Sequence, residues 1–179
     1  MDYLTKPTSR LKLRVHSMLF RKMFKVPLTG KFPVMEVLER LPDVLENCRY
    51  LVVDDKDLPA QTMCWCYANG DGGFDIEIKE SVYDGALKGN GAFRGFICHE
   101  ICHLYLFFKG FTPVFERAFE DHKIPAYRSV EWQAKALCGE VMIPYEESRG
   151  MSLSDLVEKY GVSQAFATHR RRADKNEKK

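Results

Sequence analysis

The sequence predicts an α+β domain in which a small antiparallel sheet lies beside a buried helix, with further helices at the C-terminal end. Three observations lead there. Apolar residues recur at helical spacing along most of the chain, and strict alternation appears between residues 62 and 79. The run GFICHEICHLYLF at 95 to 107 sets two histidines and a glutamate into an otherwise apolar helix.

Size and composition narrow the class. A chain of 179 residues that is 45% hydrophobic and 12% aromatic can bury a core of its own, so it is a folded protein and not a disordered one. A net charge of +2 implies no general polyanion partner. No apolar run reaches the roughly 18 to 20 residues that span a bilayer, so no membrane partner is expected. Arg10, Lys12, Arg14, Arg21 and Lys22 interrupt any signal-peptide core, and six cysteines without such a signal read as thiols of a cytoplasmic protein.

Residues 1–30 form a basic helical arm, with a helix over 10 to 25 that places Leu11, Val15, Met18 and Leu19 on its docking side. The main domain covers 31–150. It begins with Val34, Val37, Leu38 and Leu41 at helical spacing, then a short buried strand at 50 to 53. The hairpin follows: TMCWCYA, the turn NGDGG, and FDIEIKE. Alternation puts Cys64 and Cys66 on one face of its first strand and Trp65 and Tyr67 on the other. The helix of 92 to 108 is apolar nearly all round and is expected to be buried on every side.

Pro113 and Pro125 make 111 to 128 a loop, and a further helix runs from 130 to 143, closed by Pro144. Residues 151–179 are a helical extension with a basic tail. Ser152 and Asp155 form a capping box there, Gly161 ends that helix, and Ser163 caps the last one.

His99 and His103 are four residues apart, so one helix face carries both and a single ion can lie between them. Buried without partners, two imidazoles and a carboxylate would each cost roughly 1–3 kcal/mol or more. A zinc ion satisfies them, and Glu100 stands where the general base of an H-E-x-x-H site stands. A catalytic zinc needs a third protein ligand from another element. Glu131 is the best candidate, because it lies beside the stripe Val130, Ala134, Leu137 and Val141, whereas Glu140 points away and reads as a solvated charge.

The pair FRGFICHEICH at 93 to 103 and EWQAKALCGEVMIP at 131 to 144 resembles the ImmA/IrrE family of metallopeptidases. That family has an RFTLAHELGH-like helix followed by a helix of the form E-x-x-A-N-x-F-A-x-x-L-L-M-P. The resemblance spans about residues 30 to 170. It implies a zincin-like metallopeptidase domain, His99, His103 and Glu131 as zinc ligands, Glu100 as catalytic base, and Met142 to Pro144 as the helix-ending signature. It also implies a protein substrate, a transcriptional repressor or similar regulator cut in a phage or mobile-element setting. Cys102 stands where the family often has glycine, and Lys135 and Leu137 replace its Asn and Phe; none of these is a presumed ligand.

An oxyanion donor is also required, and Tyr105, His122 and Tyr127 are chemically able. Cys64, Cys66, Cys98 and Cys102 could instead hold a structural zinc, although their spacings match the usual knuckles poorly. The helix, glycine turn and helix of the C-terminal extension, ending in Arg170, Arg171 and Arg172, would allow phosphate contacts. The rival to proteolysis is therefore a regulatory module or toxin-antitoxin component that binds DNA or a partner protein through this extension.

Overall fold

Nine helices and three strands follow one another through the described residues, 2–114 and 124–176 of a computed structural model. In chain order they are α1 (Arg10–Met23), α2 (Val34–Glu39), α3 (Leu41–Val44), β1 (Arg49–Val53), β2 (Cys64–Ala68), β3 (Phe74–Lys79), α4 (Glu80–Leu87), α5 (Gly91–Phe108), α6 (Val130–Met142), α7 (Tyr145–Ser148), α8 (Leu153–Tyr160) and α9 (Gln164–Asn176). The protein is mixed α+β. None of the described helices is long and apolar enough to cross a membrane.

The alternating stretch does form a hairpin. Its turn is closed by Asn69, whose side-chain oxygen accepts from the Asp71 and Gly73 amides at 3.1 and 3.0 Å. β2 and β3 pair antiparallel, with Cys64 opposite Ile78 and Cys66 opposite Ile76. Trp65 and Tyr67 face solvent, and both donate to Glu77 at 2.8 Å. The sheet is not antiparallel throughout, however. Its order is β1-β3-β2, and β1 runs parallel to β3. The hairpin turn specifies only the β2–β3 pair, and the residues between β1 and β2 carry the chain past β3 to its far side.

α5 lies against the sheet on one side and α6 on the other, and α1 covers α6 in turn. Ile76 and Ile78, Ile97 and Ile101, Leu137 and Val141 meet in one core, each wholly enclosed. α5 is not buried all round: Phe96 remains exposed on the wall of a cleft between α5, α6 and α9, and Phe107 and Phe108 remain exposed beside Phe74 of β3.

The N-terminal segment is part of this core and not an arm beside it. α1 buries Leu13, Ser17, Phe20 and Arg21, while Leu11, Val15, Met18 and Leu19, expected to dock, are the exposed face. Arg21 explains the reversal. Its guanidinium donates to the carbonyls of Val141, Pro27, Thr29 and Gly30 at 2.6–3.1 Å, so a charged side chain is fully satisfied at 1% exposure.

The C-terminal extension docks on the start of α5. Ser152 and Asp155 make the expected reciprocal cap, both bonds at 3.1 Å, and Gly161 ends α8 in the left-handed conformation at φ 62°. Gly91 opens α5 beneath that turn, where a Cβ would come within 2.5 Å of the Val162 carbonyl carbon. Ser163 accepts from the Phe166 amide at 3.1 Å, as its place before α9 predicts.

Candidate metal centre

α5 begins cleanly because Asn90 accepts from the Ala92 and Phe93 amides at 3.0 and 3.3 Å. From there the 3.6-residue period brings His99 and His103 to one face, with their rings edge to face and the two Nε2 atoms 3.0 Å apart. Glu131 arrives from the first turn of α6. Its Oε2 lies 3.4 Å from His99 Nε2 and its Oε1 lies 3.3 Å from His103 Nε2. One donor atom from each of the three residues falls within 4.8 Å of the others.

The placement of Glu131 depends on residues far away in sequence. Ser129 caps α6 through the Trp132 amide at 2.8 Å and donates to Asp2 Oδ2 at 2.6 Å, while Asp2 Oδ1 accepts from the Glu131 amide at 3.1 Å. The N-terminal segment thus pins the start of α6. No local motif marks Asp2, because its partners are more than 120 residues away.

Neutral imidazoles cannot satisfy this arrangement among themselves. Each carries one N–H and one lone pair: if both Nε2 atoms are protonated to donate to Glu131, two N–H groups crowd each other at 3.0 Å, and if only one is, the other's lone pair lies beside the carboxylate. A cation between them removes the conflict. Two nitrogens bound tetrahedrally to zinc at 2.0–2.1 Å would lie about 3.3 Å apart, close to the 3.0–3.4 Å separations of these atoms. The residues therefore fit a metal ion with an open coordination position. Hydrogen bonds from His103, then His99, hold the Glu131 carboxyl well below the usual carboxylate range, which keeps it an anionic ligand. Lys135, one turn further on, adds a contact at 3.6 Å.

Glu100 is half-buried on the same helix and turns toward β2, where it meets Cys66. Burial, then the Glu100 charge, pushes the Cys66 thiol well above its usual range. A cleft of about 640 Å³ opens beside His99 between α5, α6 and α9, with Phe96, Trp132 and Phe166 among its walls and Lys135 and His169 also lining it.

Other sequence expectations end differently. Tyr105 is enclosed in the core, its hydroxyl 3.1 Å from His16 Nδ1, and burial pushes its pKa up to about 12. It is not offered to the site, since it lies on the α5 face that packs toward α1. Tyr127 is exposed in the turn before α6, and its carbonyl accepts from Thr8 N and Gln133 Nε2 at 2.9 Å. His122 lies outside the described residues.

Glu140 is not a solvated charge. At 1% exposure it receives Arg14 at 3.1 Å, Arg10 at 3.4 Å and Arg170 at 2.9 Å. That pairing withdraws Arg170 from any phosphate, because it too is buried and also binds Asp174. Arg171 is half-buried and Arg172 exposed. The cysteines regroup as well: Cys98 and Cys102 converge with Cys138, while Cys64 and Cys66 stay on β2.

No family model matches this chain, and neither does any curated protein or solved structure. The donor geometry must carry the functional argument.

Proposed function

We propose that this protein is a zinc-dependent metallopeptidase of zincin-like architecture, with His99, His103 and Glu131 as ligands and Glu100 as general base. The observation that carries this is the meeting of two imidazole nitrogens and one carboxylate at 3.0–3.4 Å, beside an open cleft. The H-E-x-x-H spacing and the resemblance of both helices to ImmA/IrrE metallopeptidases support the same reading.

When bound, the zinc supplies Lewis acidity, polarising a carbonyl and lowering the pKa of a water. Glu100, one residue beyond His99, would act as the general base, accepting a proton from the attacking water and passing it to the leaving amine. Half-burial against β2, where it meets Cys66, shields its carboxylate from bulk solvent. The cleft walls hold the peptide and exclude water, so orientation adds to the chemistry. The substrate class is a cytoplasmic protein, and the resemblance favours a transcriptional repressor.

Metal content and cleavage, measured on one set of variants, test this. The wild type should bind one zinc more than His99→Ala does and cut a repressor-derived peptide library at defined bonds, as read by mass spectrometry. Glu100→Gln should keep the metal and lose cleavage, and His99→Ala should lose both. A Glu100→Gln protein that cuts at the wild-type rate would sink the proposal and favour a non-proteolytic binding module.

A further inference from the structure

A second set of donors lies on the neighbouring face of the same two helices. Cys98 and Cys102 repeat the four-residue spacing of His99 and His103, each one position earlier. Cys138 stands seven residues beyond Glu131, so two turns bring it back to nearly the same side of α6. Its sulfur donates to the Gly95 carbonyl at 3.7 Å, so α6 runs back along α5 from the histidines toward Gly95. The three sulfur atoms lie within 4.8 Å of one another, all as free thiols, and no more than 2% of any of these residues is exposed.

We propose that Cys98, Cys102 and Cys138 form a second metal site, separate from the histidine site, that takes one soft divalent cation through three thiolates.

Distance and charge support this over three inert thiols. Three sulfurs about 2.3 Å from a common centre in one plane would stand about 4.0 Å apart, within the spread of these atoms. An all-sulfur donor set in an apolar core selects a soft ion over magnesium or calcium. Binding replaces three S–H bonds with three metal–sulfur bonds and releases three protons to solvent, leaving a net charge of −1 on the centre. The buried guanidinium of Arg21, whose hydrogen bonds all go to main-chain carbonyls, supplies a positive charge in the same core.

Cys138 also lines the cleft that His99 lines, so the sulfur cluster lies just behind a wall of that cleft. The arrangement would tie the middle of α5 to α6 directly behind the histidine site. Its role is thus to fix the helix pair that carries the ligands.

The reduced full-length protein, titrated with cadmium as the probe ion, tests the proposal. We expect sulfur-to-cadmium charge-transfer absorption that saturates at one equivalent, and a cadmium X-ray absorption spectrum with three sulfur neighbours. The histidine site contains no sulfur, so the band should persist in His99→Ala and His103→Ala even if the peptidase reading fails. It should also persist in the Cys64→Ala, Cys66→Ala double variant and be lost in Cys138→Ser. Should Cys138→Ser fail to fold, the wild-type absorption spectrum decides alone. A shell of nitrogen and oxygen, no band at one equivalent, or a band that survives in folded Cys138→Ser would each overturn the assignment.

Discussion

Glu140 and Arg170 pair at 2.9 Å with their side chains 0% and 1% exposed, joining the middle of the protein to its last helix. Removing one partner leaves the other charged in the interior, a change that typically costs about 3–5 kcal/mol. Glu140→Gln should therefore lower the denaturant midpoint strongly, since Arg10 and Arg14 lose the same acceptor. Replacing Glu140 and Arg170 together by Gln and Met should cost less than the sum of the two single changes. Additive losses in urea denaturation would show that the pair does not act as a unit.

Gly91 reports on how the C-terminal extension docks. A methyl group there would meet main-chain atoms of Gly161, Val162 and Ser163 at 2.5–2.7 Å, none of which can turn aside as a side chain would. Gly91→Ala should destabilise by about 1–3 kcal/mol through overpacking. Gly89→Ala is a poor control because its φ is 99°, but Gly70→Ala has open space and should change little. Equal melting temperatures for Gly91→Ala and wild type would contradict this docking.

Glu147 makes stability depend on acid. Burial pushes its carboxyl up, but hydrogen bonds from Lys159, the Gly30 amide and Tyr160 outweigh this and hold it below the usual value of 4.5. A depressed folded pKa contributes stability that is complete above the unfolded pKa and fades as pH falls through the folded one. The wild type should thus lose part of its stability as pH drops below about 4.5, and Glu147→Gln should lose less over the same range. Parallel pH profiles for the two proteins would rule out this contribution.

Zinc should stabilise the folded chain by mass action. At a free concentration one hundred times the dissociation constant, the gain is about 2.7 kcal/mol. The expected outcome is a higher thermal midpoint with zinc, reversed by chelator, in the wild type and in Glu100→Gln. Glu131→Ala and His103→Ala should show a smaller rise, limited to what the three cysteines hold, and a rise of wild-type size in either would mean that the histidine site contributes nothing to zinc binding.

Much of the geometry of the candidate site is legible in the sequence. A four-residue spacing on a helix suffices to align His99 with His103, and the turn residues from Asn69 to Gly73 suffice to form the hairpin. Glu131 could be singled out because its helix carries a stripe that turns that flank inward. The same reasoning failed for α1. Leu11, Val15, Met18 and Leu19 have a better apolar spacing than Leu13, Ser17, Phe20 and Arg21, yet the second set is buried. Arg21 is at home there only because four carbonyls converge on it, three from the turn that follows α1 and one from Val141, 120 residues away.

What the sequence determined by itself is therefore periodic and local: which stretches are helix, where they are capped, and which donors share a face. Only the tertiary structure decided the partners of Glu140, Arg170 and Arg21, the parallel pairing of β1, and the meeting of Cys138 with Cys98 and Cys102. The reason is physical. A helix or turn is set by interactions over three or four residues, whereas the cost of burying a charge depends on groups that only the folded chain brings near.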